Sequence, residues 1–212
     1  YRSLQQAQRN THDGISVLQT AEGATNEVGD ILKRMRELAV QSSSETLHNN
    51  ERAYIQDEFE QLTAEVDRIA DVTEFNGTSL TNSTHPGLDV QVGIQNKDQD
   101  RIEIELGDLR ASSLKVNTSS VSMGTFTAAR NALETIDTAL DSVNSYRSDY
   151  GAVQNRLESA LNNLETYTEN IAGAESRIRD ADFAYETAQM SKYNIMQQAG
   201  VAILSQANGI SQ

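Results

Sequence analysis

From Leu133 to Ile178 the apolar side chains keep a single rhythm. Leu133, Ile136, Leu140, Val143, Tyr146, Tyr150, Val153, Leu157, Leu161, Leu164, Tyr167, Ile171, Ala174 and Ile178 each follow the last by three or four residues. Residues at those spacings share a helix face, so the run predicts one helix of ~45 residues, about 70 Å long at 1.5 Å per residue. A helix of that length exceeds any compact domain of this size. The chain is therefore expected to build a rod, in which each helix buries only a narrow stripe against its neighbours.

The N-terminal segment carries a matching stripe. Leu4, Ala7, Thr11, Ile15, Leu18, Ala21, Thr25, Val28, Leu32, Met35 and Ala39 step by three or four up to about Gln41. Within it stand Gly14, Gly23 and Gly29, each costing about 1 kcal/mol relative to Ala in a helix. Retaining three of them suggests that another backbone passes close by; tolerated weak spots are an equally plain explanation. Ser42-Ser43-Ser44 breaks the pattern, and Asn49 or Asn50 is expected to cap a second helix with Glu51 in its first turn. Ile55, Phe59, Leu62, Val66 and Ile69 give that helix a heptad-like seam.

The middle changes period. Asn76-Gly77 and Pro86-Gly87 mark turns. Leu88, Val90, Val92 and Ile94 then alternate with polar neighbours or glycine, as do Ile102, Ile104 and Leu106, on either side of a polar loop from Gln95 to Asp100. Two alternating runs around a loop predict a β-hairpin. A Ser/Thr-rich connector follows, roughly Ala111 to Thr127. Pro86 is the sole proline, so nothing interrupts long helices on either side.

From Tyr193 to Gln212 there is no charged residue, and Ile195, Met196, Val201, Ile203, Leu204 and Ile210 cover more than one helix face. Asn194, Gln197, Gln198, Ser205, Gln206 and Asn208 argue against a membrane span. The segment reads as a helix that frays when free and is buried between subunits when assembled; a loose terminal tail is the alternative.

Composition narrows the function. Seventeen basic against 31 acidic residues leave a formal charge of −14. That disfavours nucleic acid, whose binding depends on neutralising phosphates, and an anionic membrane surface. There is no cysteine, hence no disulfide, thiolate nucleophile or zinc-thiolate site. Aromatics make up only 5%, thin for a compact globule. No apolar run is long enough to cross a bilayer. Both ends fall inside helical patterns, which reads as an internal piece of a longer chain.

Several short blocks are more specific than the rhythm. Arg9-Asn10-Thr11-His12-Asp13-Gly14-Ile15-Ser16, Gln19-Thr20-Ala21-Glu22-Gly23 and Leu32-Lys33-Arg34-Met35-Arg36-Glu37-Leu38-Ala39-Val40-Gln41 resemble the N-terminal motifs of bacterial flagellins. Glu65-Val66-Asp67-Arg68-Ile69 and Thr73-Glu74-Phe75-Asn76-Gly77 extend the match. Gly151-Ala152-Val153-Gln154-Asn155-Arg156-Leu157, the run from Ala174 to Asp182 and Met190-Ser191-Lys192 resemble the C-terminal core of the same family. The blocks run in family order and cover nearly everything outside about Thr78 to Thr127.

The resemblance implies a filament subunit exported through the growing flagellum and polymerised outside the cell, with other flagellin subunits as partners and an export chaperone for the full-length protein. It implies that the N-terminal tube segment is absent here and the C-terminal one cut short, so the fragment is expected to remain soluble. It also implies that Arg34, Leu38 and Glu58 match positions recognised by the flagellin-sensing Toll-like receptor of vertebrate hosts. Arg34 and Leu38 stand four apart on one predicted helix face, with Glu58 on the next helix; the same faces also serve side-by-side packing. Met35 departs from the branched residue common in the motif. Family members carry O-linked sugars in the variable region, where Ser119, Ser120 and Ser122 are the candidates.

Other constellations read blandly. Asn96, Asp98 and Asp100 open like a calcium loop, but Arg101 occupies the position that needs Gly and Gly107 the one that needs the closing Glu; a solvated hairpin tip is the reading. His12, His48 and His85 lack a metalloprotease spacing. Ser42 to Ser44 lack the strained nucleophile turn. Glu65 with Asp67, and Asp180 with Asp182, read as solvated helix faces. No catalytic residue, cofactor or metal is expected.

The expected fold is mainly α: an elongated antiparallel, coiled-coil-like helical bundle with a small β-hairpin at one end. Residues 1–77 would give two rod helices, 78–127 a variable region of hairpin and connector, 128–180 the C-terminal rod helix, and 181–212 the start of a filament-core helix. Leu18, Leu32, Phe59, Leu62, Val66, Leu140, Val153, Leu157 and Leu164 are the candidate core. The expected function is a structural subunit of the extracellular flagellar filament, with a hook–filament junction protein or a surface-displayed flagellin-like adhesin as alternatives.

Overall fold

The computed structural model describes residues 2–179 and 183–210, with the side chains of Ile178, Arg179, Ala184, Asn208 and Ile210 outside the described set. The pair Asp180 and Asp182 lies outside the described residues, as does the stripe position Ile178 in its side chain. The chain divides into two compact units, Arg2–Leu164 and a second from Glu165 onward.

In the first unit, helix α1 (Arg2–Ser42) is answered by α2 (Asn49–Val72) and by α3 (Phe126–Arg179), which continues beyond the unit. At 1.5 Å per residue α1 alone spans about 60 Å. Pairings fix the directions. Arg52 meets Ser42 and Glu58 meets Arg34, so α2 returns along α1. Asp137 meets Arg36, and Leu157 faces Gly14, so α3 also runs against α1. The α1 stripe is buried from Leu4 to Ala39, with Ile15 only partly so.

The turn between α1 and α2 is held by a buried cation. Arg52 is 6% exposed; its Nε donates to the Ser42 carbonyl (3.0 Å), Nη1 to Leu47 (2.8 Å) and Nη2 to Ser44 (2.6 Å). The guanidinium fork satisfies carbonyls left over where α1 ends, on the side where the helix dipole favours a positive charge. The N-cap of α2 is His48, one residue before the expected Asn49. Glu51 accepts its backbone N–H at 2.9 Å, the reciprocal half of a capping box. The backbone needed a residue in extended geometry there, not an Asn side chain.

Two small sheets follow. β1 (Glu74–Phe75) and β2 (Thr78–Ser79) close around Asn76 and Gly77, both at positive φ (49° and 76°), the primed turn that Asn-Gly favours. β3 (Gly87–Gln91) pairs antiparallel with β4 (Arg101–Glu105), Leu88 opposite Ile104 and Val90 opposite Ile102. The expected alternation stops early, since β3 ends at Gln91 and Ile94 is exposed.

The hairpin does not cap an end of the bundle. It lies alongside the first half of α1, taking over where α2 stops. Asn10 donates to the Gln91 carbonyl, and Val90 sits over Gly14, where a Cβ would come within 2.9 Å of its methyl group. Of the three glycines in α1 only Gly14 is a tight approach. Gly29 has ordinary contact with Val143, and Gly23 has nothing within 4 Å.

The connector is not a solvated loop. Leu109, Ala111, Leu114, Val116, Val121 and Met123 are buried in the same core as α2 and the first part of α3. Side chains pin its backbone: Asp67 accepts the Ala111 N–H, Gln56 accepts the Met123 N–H, and Ser42 donates to the Met123 carbonyl. Irregular backbone must find such partners when buried.

In the second unit, α4 (Phe183–Ile210) is continuous over its described residues.

Candidate functional site

Two surfaces stand out. The first lies across α1 and α2. Arg34 Nη2 is 2.7 Å from Glu58 Oε1 and its Nη1 is 2.9 Å from Glu37 Oε2, all three side chains about half exposed. Hydrogen bonds to Glu37 and Glu58 hold the guanidinium above its ordinary pKa. Arg36, two residues on, points to the other side and meets Asp137 of α3 at 2.6 Å. Successive arginines thus tie α1 to each neighbour.

The expected recognition trio does not share one exposed face. Leu38 is 1% exposed and packs in the core that also holds Phe59. A spacing of four turns a side chain by about 40°, and the edge of the apolar stripe falls inside that interval. Arg34 and Glu58 are brought together; Leu38 lies beneath the surface they form.

The other core candidates sit as follows. Leu18, Leu32, Phe59, Val66, Leu157 and Leu164 are buried; Leu62, Leu140 and Val153 are partly buried along the seams. Tyr167, inside the long stripe, is exposed. Ser119, Ser120 and Ser122 are exposed positions within the connector.

The second surface is α4 itself. Phe183, Tyr185, Met190, Tyr193, Ile195, Met196, Val201, Ile203 and Leu204 are all exposed, Ile195 and Leu204 to 66%. At about 100° per residue these positions fall on every side of the helix. A helix apolar all round is ordinarily a buried one. Among the described residues none covers these side chains.

Elsewhere, Glu65 pairs with Arg68 at 2.6 Å, whereas Asp67, read from the sequence as part of a solvated helix face, is partly buried against the connector and accepts the Ala111 N–H. Asp100 accepts the Gln95 N–H, and Asn96 accepts from Arg101, so the hairpin loop is tied to itself. Ser42 is engaged with the connector, and His48 caps a helix. Among the described residues no group of three His, Cys, Asp or Glu is placed to hold a metal, and no helix is long and apolar enough to cross a membrane. A groove of about 460 Å³ beside Tyr146 is lined by Asp89, Glu103, Glu105 and Asp149.

Sequence reasoning missed Arg52 and the buried connector, and placed Tyr150 in the apolar stripe without the task of its hydroxyl, which accepts the Gly107 N–H at 3.0 Å. Apolar residues in the connector fall at irregular intervals, so periodicity could not reveal them.

Comparison with known proteins gives the arrangement a context. The bacterial flagellin N-terminal helical region matches residues 1–85 and the C-terminal helical region residues 133–212. Flagellin of Halalkalibacterium halodurans is 45% identical over 98% of this chain and 75% of its own length. The flagellar filament 31.3 kDa core protein of Treponema maltophilum is 39% identical over the whole chain and 78% of its own. The crystal structure of Bacillus cereus flagellin superposes with a TM-score of 0.64 at 30% identity, over 79% of this chain and 94% of that one. A putative flagellar hook-associated protein of Vibrio parahaemolyticus shares the fold at TM-score 0.66 with only 13% identity, over 82% of this chain and 90% of that one. Two terminal helical regions in family order, one relative at 45% identity and a matching solved fold together make this chain a member of the bacterial flagellin family.

Proposed function

We propose that the chain is a structural subunit of the extracellular flagellar filament and carries no catalytic role. The observation behind this reading is α4, whose apolar side chains face outward on all sides. Such a helix gains by burial among other copies, at about 25 cal/mol per Å² of apolar surface. In this reading 1–77 and 128–180 supply the rod helices, 78–127 is the variable region packed onto α2 and α3, and 181–212 belongs to the filament-core segment that other copies cover. Export through the flagellar apparatus, with a chaperone for the full-length protein, belongs to the same proposal. For the hook–filament junction alternative the support is a likeness of fold alone, to a putative flagellar hook-associated protein at 13% identity.

The test is assembly of the full-length protein carrying Val201→Lys with Leu204→Lys. The expected result is an unchanged bundle, seen by circular dichroism and melting, with no pelletable filaments. Normal filaments in electron micrographs would refute the role given to α4.

A second reading concerns recognition by the flagellin-sensing Toll-like receptor. The half-exposed Arg34–Glu58 pair supports it, offering a guanidinium and carboxylate on a rigid two-helix face. Leu38 enters only as the packing beneath that pair. The exposed Ser119, Ser120 and Ser122 are the proposed sites for O-linked sugar, and intact mass of the native protein decides this.

A further inference from the structure

The first unit has two cores. In one, Ala24 to Ala39 of α1 pack with α2, the connector and α3 as far as Val143. In the other, Val17, Leu18 and Ala21 pack with the hairpin and with Tyr150 and Leu157. The division crosses α1 between Ala21 and Ala24, and α3 between Val143 and Tyr150. Tyr146 packs against both sides.

The seam is gripped at Gly107, just after β4. Its N–H is donated to the buried Tyr150 hydroxyl at 3.0 Å, and Thr25 of α1 lies beside the same hydroxyl. The Tyr146 ring presses so closely on Gly107 that an added Cβ would come within 2.6 Å of it. Two tyrosines one turn apart on α3 therefore hold the exit of the hairpin.

We infer that the hairpin core is a cooperative unit of its own, which opens without unfolding the α2 core, and that Tyr150 with Gly107 is its latch. A two-stranded hairpin has little independent stability, and here Leu88 and Val90 are only partly buried. The α2 core draws on three helices and the buried connector, so the two have unequal resources. Proteins open in contiguous units that follow supersecondary motifs. Opening here uncovers Val17, Leu18 and Ala21 of α1, an apolar strip that is otherwise sealed. This inference is independent of filament assembly.

Hydrogen exchange followed by mass spectrometry across a urea series tests it on the folded chain. Amides of 87–105 are expected to exchange through an opening with a shallower urea dependence than those of 49–72. Tyr150→Phe leaves the Gly107 N–H without its partner, and should speed exchange of 87–105 about tenfold while 49–72 keeps its rate. Gly107→Ala, which displaces the Tyr146 ring, should act on the same segment. A common rate and urea dependence for both segments would overturn the separate unit. An unchanged rate for 87–105 in both variants would overturn the latch.

Discussion

Arg34 and Glu58 share a single oxygen twice over: Nη2 and Nε of the arginine lie 2.7 and 3.0 Å from the same Glu58 Oε1. One edge of the guanidinium thus closes on a carboxylate across the α1–α2 boundary, while Nη1 turns back to Glu37. The pair is exposed enough for water and salt to screen it. It is a surface feature, fixed in place by the buried Met35 and Phe59.

Arg34→Ala should therefore leave the melting temperature where it is and weaken activation of the flagellin-sensing receptor in reporter cells. Leu38→Ala should do the opposite in kind, lowering the melting temperature because it opens a cavity, at roughly 2–5 kcal/mol for a buried leucine. A response unchanged by Arg34→Ala would remove the surface from consideration.

Gly14 and Gly23 belong to the same helix and should respond with opposite sign. Alanine gains up to about 1 kcal/mol in helix propensity at either position. At Gly23 nothing lies within 4 Å, so the gain should appear in full. At Gly14 the new Cβ meets both methyl groups of Val90, at 2.9 and 3.1 Å. A β-branched side chain has no easy rotamer to move into, and overpacking costs typically about 1–3 kcal/mol. Urea melts of the two variants read the difference directly.

Most of the helical architecture was legible because a stripe of period 3.6 survives dilution by polar residues: Leu4 to Ala39 and Leu133 to Leu164 announce themselves. Asn76-Gly77 was legible because few pairs tolerate two positive φ values in a row. The connector was not, since Leu114, Val116, Val121 and Met123 follow no period and their burial depends on α2 arriving from elsewhere. Arg52 was hidden for a related reason. An arginine in an acidic helix looks solvated until the carbonyls of Ser42, Ser44 and Leu47 are folded around it. The burial of Leu38 turned on about 40° of helix rotation, finer than spacing can resolve.

Arg52→Ala should cost on the order of 2–4 kcal/mol, since it strips charge-assisted hydrogen bonds from three carbonyls at once. Arg52→Lys should recover only part of this, because an ammonium cannot fork to three carbonyls in a plane. Denaturant unfolding of both variants gives the comparison. Equal stability of the lysine variant and the parent would mean that charge at the α1 terminus matters and fork geometry does not.

The pH profile should fall away at both extremes, for different residues. Burial raises the Asp108 carboxyl, but hydrogen bonds from the Arg110 side chain, the Ser113 hydroxyl and the Arg110 N–H outweigh it and bring the pKa to about 2. Its contribution is present above the ordinary 3.8 and is lost as pH falls towards 2, so Asp108→Asn should flatten the acid limb. Tyr150 moves the other way: burial raises its pKa above 10.0, against weaker lowering by the Gly107 N–H and Thr25. The folded chain holds that proton more tightly than the unfolded chain, so its share of stability is complete below pH 10.0 and declines as pH climbs past it. Tyr150→Phe has no proton to lose there. Its stability should therefore be lower than the parent's at neutral pH, through the orphaned Gly107 N–H, and should decline less steeply in alkali. Urea midpoints taken from pH 7 to 11 would show the two curves converging; parallel curves would mean that the Tyr150 hydroxyl is no more shielded than the exposed Tyr54.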